Sequence, residues 1–369
     1  MSIETLPTEI LIQILDDVSL QVGDLAVISR VSRRWHSAVI PVLYKRFTFR
    51  YYHPLTGEDQ SKLESFRKHG RHVKYLNLHI KRWEESEQPQ PPVSNVALYL
   101  GILDAFTEVT HVEHYDIEIY GLHWPIFWTI LNYLVSEKQE LISLTIRRNP
   151  SRDINTTSDQ DIDPKTLLPT PCLPNLAHFN LRVNCKGTGW PDTIESVPIF
   201  HENLALALGE SCRNVSNFQF YTKLFDTAEV EKIATFQGID LPRLPMDNIK
   251  ELRYEVLPVA IPPTRLLDTN FGATKVLTTS SWVCGYWLHQ AWEQLPSGES
   301  LGHFQNLEVL RITDAFKIAK DGNLETNLKL VTQHLPKLET LILEYDERQF
   351  SISRKLDGTL IWEEVAFIV

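Results

Sequence analysis

The sequence has little of what marks a secreted, metal-binding or membrane-spanning protein. Four cysteines, Cys172, Cys185, Cys212 and Cys284, are scattered through 369 residues. They form no CxxC pair and have no histidine at ligand spacing, so reduced thiols in a packed interior are expected rather than structural zinc. No apolar run approaches the roughly 18 residues that cross a bilayer. The chain does not open on a basic stretch, an apolar run and a small-residue cleavage site, which argues against secretion. These absences predict a soluble protein of the cytoplasm or nucleus that enters no membrane.

Positive charge is scarce as well, and unevenly so. The formal net charge is −11. Up to Arg82 there are 13 Lys/Arg against 8 Asp/Glu, and beyond it 23 against 39. So acidic a body repels phosphates, and nucleic acid is not an expected partner. The surface suits a basic partner, and it equally serves solubility. Arg and Lys are not clustered in the repeated motif described below, which argues against a phosphate-reading face.

Catalytic patterns are missing too. Gly187-Thr188-Gly189 lacks the third glycine and the Lys-Ser/Thr pair of a phosphate loop, and a turn is the simpler reading. His201-Glu202 lacks the second histidine of a helical zinc protease. There is no GxSxG elbow and no supporting signature around any cysteine. His111 and His114 read as surface or half-buried residues. No catalytic residue, metal or cofactor is expected.

What the sequence does contain begins at its N-terminus, LPTEILIQILDDVSLQVGDLAVISRVSRRWHSAVIPVLYKRFTF. Pro7 suits the first turn of a helix, and Glu9 sits where the macrodipole favours an anion. Ile10, Leu11, Ile14 and Leu15 recur at helical spacing. Gly23-Asp24 is expected to cap a second helix with Leu25, Ile28 and Val31 inward. Trp35, Val39 and Leu43 continue the apolar stripe, with a bend expected at Pro41. Three short helices cannot bury so many apolar side chains among themselves, and the surplus asks for a partner.

Leu6-Pro7-x-Glu9-Ile10, Ile14-Leu15, Asp24-Leu25 and Val31-Ser32-Arg33-Arg34-Trp35, in this order and spacing, resemble an F-box. The resemblance covers about an eighth of the chain. It departs from the family in the Asp17–Gly23 link, where a Leu-Pro pair is common. It implies that Leu6, Pro7, Ile10, Ile14, Leu15, Leu25, Val31 and Trp35 touch a Skp-family adaptor, and through it a cullin and a RING subunit. Internal packing is the alternative role for some of them, Leu25 and Trp35 especially.

Further on, one motif recurs: an apolar residue, then apolar residues three and five positions later. Its copies are Val73-Leu76-Leu78, Leu141-Leu144-Ile146, Leu176-Phe179-Leu181, Val215-Phe218-Phe220, Ile249-Leu252-Tyr254, Leu307-Leu310-Ile312 and Leu338-Leu341-Leu343. Weaker copies start at Val109 and Thr274. The fourth and sixth positions of each copy share one face of a strand. Helical character is read between copies at 96–106, 125–135, 200–208, 227–236, 282–295 and 324–334. Units that cannot each close a core must stack on their neighbours. The array resembles leucine-rich-repeat solenoids, although the tight LxxLxLxxN pattern is absent.

The predicted fold class is therefore α/β: a three-helix F-box over 1–50, a connecting segment over 51–71, and an irregular leucine-rich-repeat-like solenoid over 72–369. Loops of disordered type are expected near 83–95 and 149–171. Trp282, Tyr286, Trp287 and Trp292, and likewise Trp124, Phe127 and Trp128, suit either core packing or a recognition pocket. The resemblance, to F-box proteins of fungal type, implies a ligase subunit that recruits an unidentified protein substrate. The alternative is an interaction scaffold that binds the adaptor, or another partner, without forming a ligase.

Overall fold

The computed structural model describes residues 5–17, 20–51, 57–81, 100–101, 103–119, 124–150, 173–184, 208–223, 244–257, 267–268, 271–279, 304–313, 335–343, 348–354 and 360–365. It is a mixed α/β structure with helices at the N-terminus and one long sheet behind them. The first three helices are α1 (Thr8–Asp17), α2 (Val22–Ile28) and α3 (Arg33–Leu43). The Pro7 carbonyl accepts from the backbone N–H groups of Ile10 and Leu11 and so begins α1. Asp24 does not cap α2 from outside, as its neighbouring glycine suggested. It occupies the third helical position and accepts from the Gln21 backbone N–H at 3.1 Å, so the helix starts earlier, at Val22. Ser32 caps α3 by accepting from Trp35 N–H at 3.2 Å. Pro41 lies in the last turn of α3, which runs two residues further before Tyr44 N–H closes on the Ile40 carbonyl.

Among the described residues the sheet has twelve strands. In spatial order they are β1 (Arg46–Tyr51), β2 (Tyr75–Lys81), β3 (His111–Ile119), β4 (Ser143–Pro150), β5 (His178–Asn184), β6 (Asn217–Lys223), β8 (Glu251–Leu257), β10 (Val276–Thr279), β11 (Val309–Ile312), β12 (Thr340–Leu343), β13 (Arg348–Arg354) and β14 (Leu360–Val365). A separate parallel pair joins β7 (Leu244–Pro245) to β9 (Leu267–Asp268). The ten strands from β1 to β12 are parallel and follow chain order; β13 and β14 turn back antiparallel. Parallel neighbours need crossover connections, which the long steps between motif copies supply.

The repeated motif is what holds these strands in one register. Leu76, Val112, Leu144, Phe179, Phe218, Leu252, Leu277, Leu310 and Leu341 are direct lateral partners. All are buried, as are the first-position residues from Val73 to Leu338. At the strand entrances the backbone forms a relay. The Lys45 carbonyl accepts from Lys74 and Tyr75, the Lys74 carbonyl from Thr110 and His111, and the pattern repeats as far as Glu308. Aromatic rings stack along the row, Phe179 on Phe218 at 5.5 Å and Phe220 on Tyr254 at 5.4 Å.

Two features extend the sequence motif. Three residues before each first position lies another buried anchor, as at Phe106, Leu173, Cys212, Met246, Phe271, Phe304 and Leu335. Cys212 is thus a core thiol at one of these anchors. At Gly70, in the corresponding place, a Cβ would fall on the Ala105 carbonyl and lie 2.8 Å from the Phe106 ring, so only glycine fits. Lys138 occupies the anchor before Leu141; its stem is buried and its ammonium donates to the Leu103 carbonyl at 2.8 Å. Finally, asparagines just before the first position tie neighbouring copies together. Asn214 Nδ2 donates to the Pro174 carbonyl at 2.9 Å and Asn306 Nδ2 to the Gly272 carbonyl at 2.6 Å.

The sheet begins inside the N-terminal module. Tyr44-Lys45-Arg46-Phe47-Thr48-Phe49 is a further copy of the motif, and Phe47 is the register partner of Leu76. The stretch 51–71, read as a connection, contains α4 (Gly57–His69), which covers this edge. Leu63 is buried, and Phe66 meets Phe47 at a ring separation of 3.9 Å. Lys45 and Asp16 form an ion pair between the module's first helix and the start of β1. Of the helical segments read between copies, Pro125–Val135 lies within α5 (Trp124–Glu137), with Ile130, Leu131, Leu134 and Val135 in the sheet's core. The segments 227–236, 282–295 and 324–334, and residues 83–95 and 151–171, lie outside the described residues.

Candidate functional site

The N-terminal module closes a small core of Leu11, Leu15, Leu25, Ala38 and Val39, with Leu6, Ile28 and Trp35 packed against it. Helical spacing puts Leu11 and Leu15 on the inner face of α1. Ile10 and Ile14, one turn apart beside them, remain 38% and 39% exposed. Val22 on α2, Val27 on α2 and Val31 in the turn before α3 are 69%, 65% and 68% exposed. Across all described residues, only Ile142 and Val365 join these five as exposed large hydrophobic side chains. Scattered apolar residues are normal on a surface; this concentration within 22 consecutive positions is not.

The eight residues singled out from the sequence separate accordingly. Leu15 and Leu25 lie in the module's core, and Leu6 and Trp35 are partly buried against it. Pro7, Ile10, Ile14 and Val31 face solvent. Sequence reasoning passed over Val22 and Val27. The signal for Val27 was present: it is apolar, yet falls outside the Leu25–Ile28 stripe.

Residues 3–50 match the F-box-like family model. The module is an F-box-like domain, and F-box domains typically bind Skp-type adaptors. The matched segment ends within β1, so it includes the first strand of the sheet. No curated protein matches the chain.

The sheet offers a second surface. Between the buried rows, the alternate strand positions point the other way and are polar: Asn77, Glu113, Thr145, Asn180, Gln219 and Arg253 in one row, with Arg147, Arg182, Tyr221 and Glu255 in the next. Arg147 pairs with Glu113 at 2.8 Å and Arg253 with Glu255 at 2.8 Å. Arg182 sits in register between Arg147 and Tyr221. Its guanidinium donates only a long bond, 3.4 Å, to Asn180 Oδ1 among the described residues. Burial holds its pKa below the ordinary arginine value, and the positive charges of Arg147 and Arg253 push it the same way.

Nearer the module, Tyr75 and His111 stack at 4.5 Å, and Arg46 lies 5.1 Å over the Tyr75 ring. Burial, then the His178 charge, lowers the His111 pKa. Among the described residues no group of three or more His, Cys, Asp or Glu side chains could hold a metal ion. None of their helices is long and apolar enough to cross a membrane. Gly187-Thr188-Gly189, His201-Glu202 and Trp282, Tyr286, Trp287 and Trp292 fall outside the described residues. Trp124, Phe127 and Trp128 lie on α5.

Proposed function

We propose that this chain is a substrate-recruiting subunit of a Skp/cullin/F-box ubiquitin ligase. The observation that carries the proposal is the set of exposed apolar side chains, Ile10, Ile14, Val22, Val27 and Val31, concentrated on a domain that matches the F-box-like model. Such side chains gain by being covered, and an apolar adaptor face would cover them. The parallel strands in chain order, locked by one repeated motif, support reading the rest as a leucine-rich-repeat-like solenoid. Its polar face is the surface for a protein substrate. The chain itself performs no chemistry and needs no cofactor. A RING subunit and its conjugating enzyme carry the thioester, and this subunit raises the effective concentration of a substrate lysine. This work takes place in the cytoplasm or nucleus.

The test is co-purification of a Skp-family adaptor with the triple variant Ile10→Asp, Ile14→Asp, Val31→Asp. Each lost apolar anchor costs about 1–3 kcal/mol of binding, so the variant retains no adaptor. Val31 lies mostly in water and Ile10 and Ile14 only in part, so thermal unfolding is followed alongside to establish that the variant is folded. Undiminished adaptor capture by this folded variant would overturn the assignment.

A further inference from the structure

The turn that joins α2 to α3 carries charge as well as apolar surface. Val27 and Val31 are mostly exposed, and Arg30 and Arg33, also exposed, stand on either side of Val31 in the chain. The backbone beneath them is fixed. Arg30 N–H donates to the Val27 carbonyl, Val31 N–H donates to the Ile28 carbonyl, and Ser32 caps α3. All side chains from Leu20 to Thr48 belong to the described residues, so the charge of this stretch can be counted. Its cations are Arg30, Arg33, Arg34, Lys45 and Arg46, and Asp24 is its single carboxylate, already engaged by the Gln21 N–H. Lys45 pairs with Asp16, and Arg46 lies over the Tyr75 ring. The side chains of Arg30 and Arg33 have no hydrogen-bond or ion-pair partner among the described residues.

An exposed arginine is ordinary by itself, because water solvates it. The position changes once the valine beside it is covered. With Val27 and Val31 under an adaptor face, Arg30 and Arg33 come to the border of the contact and give up part of their water. A charge desolvated there without an acceptor costs binding energy, and this stretch of the chain supplies none. We infer that the adaptor face over Val27 and Val31 carries carboxylates opposite Arg30 and Arg33, so that an apolar centre is bordered by acid. A carboxylate is the acceptor that suits a planar guanidinium, since it takes two parallel N–H bonds. An apolar centre within a polar rim is the common anatomy of protein contacts. Charges in the rim govern the rate of encounter and the choice of partner more than the final affinity. The inference rests on the F-box reading and names the chemistry the adaptor presents at this turn. Beyond Arg82 the chain has 23 Lys/Arg against 39 Asp/Glu, so a second copy is the competing acidic partner.

Binding of a purified Skp-family adaptor to the full chain is followed by stopped-flow fluorescence and by titration at increasing ionic strength. The association rate of the parent falls as salt rises, because exposed charges are screened. The double reversal Arg30→Glu, Arg33→Glu lowers affinity about tenfold at low salt. Its effect is much smaller at about 1 M salt, where the Debye length is roughly 3 Å. The milder pair Arg30→Gln, Arg33→Gln lies between the two. Both variants keep the parent's thermal midpoint, since no partner within the chain is lost. A parent that binds no adaptor overturns the F-box reading and this inference with it. A parent that binds, with both variants binding as tightly and with the same salt dependence, overturns this inference alone. So does a low-salt dimer of the parent, seen by sedimentation velocity and abolished by the reversal, because the acidic body of a second copy is then the occupant.

Discussion

Within the first 31 residues, five large apolar side chains keep between 38% and 69% of their surface in water, while among the described residues of the motif copies from Val73 to Leu343 none is more than 4% exposed. The two regions have similar raw material, leucine, isoleucine and valine at regular spacing. They differ in what neighbours supply. Each strand of the sheet is covered by the next copy of the same unit, so apolar surface is used up within the chain. The helical module has only about 45 residues and one small core, and part of its apolar surface stays in water, where the proposed adaptor would cover it. Exposure, more than hydrophobicity, distinguishes a surface meant for a partner from one meant for the fold.

That contrast can be broken most forcefully in the sheet. Leu144 lies at the middle of the ladder and is fully buried. Leu144→Ala should cost about 2–5 kcal/mol, as for truncated leucines in tight cores. Urea unfolding would register it as a lower midpoint. If the module folds on its own core, adaptor capture persists at urea concentrations that melt the sheet in this variant. A smaller effect is expected at the seam. Gly70→Ala forces a methyl group onto the Ala105 carbonyl, and about 1–3 kcal/mol of overpacking should follow. Equal stability in thermal unfolding would show that the seam yields more easily than the ladder.

The smallest effect is that of pH, and it probes the same seam. His69, His72 and His111 each hold their protons less readily in the fold than free, chiefly because of burial. A histidine with a depressed folded pKa binds more protons when unfolded. Stability is therefore intact above the ordinary value of 6.5 and declines as pH falls below it, levelling off once the folded pKa is passed. A thermal midpoint that drops modestly between pH 7 and pH 5 is the expected result. Replacing the three histidines by glutamine should flatten that part of the profile.

Much of the fold was legible because apolar spacing and strand geometry share a period. The copies from Val73 to Leu338 were read from sequence, and the structure aligns their fourth positions as direct partners. The anchor three residues earlier was hidden because it tolerates Gly70, Lys138 and Cys212 as well as Leu and Phe; only a packing contact defines it. The copy at Tyr44-Phe47-Phe49 was hidden by the F-box that overlaps it. Asp24 was misplaced because an N-cap and a third-position cap use the same side chains, and only the Gln21 bond tells them apart. The arginine group was invisible for a different reason. Arg147 and Arg182 are far apart in sequence and become lateral partners only through strand register.

The overlap at β1 has a consequence for distance. Because the strand of the F-box-like domain is the first strand of the sheet, no hinge separates that domain from the sheet along this path. The sheet then acts as a ruler, with each parallel strand adding one interstrand step. Arg182 on β5 is four steps from β1, roughly 19 Å along the sheet at the usual spacing. In the proposed complex, the strand on which a segment is held sets how far from the adaptor it is presented, and inserting or deleting one copy of the motif changes that reach by a single step.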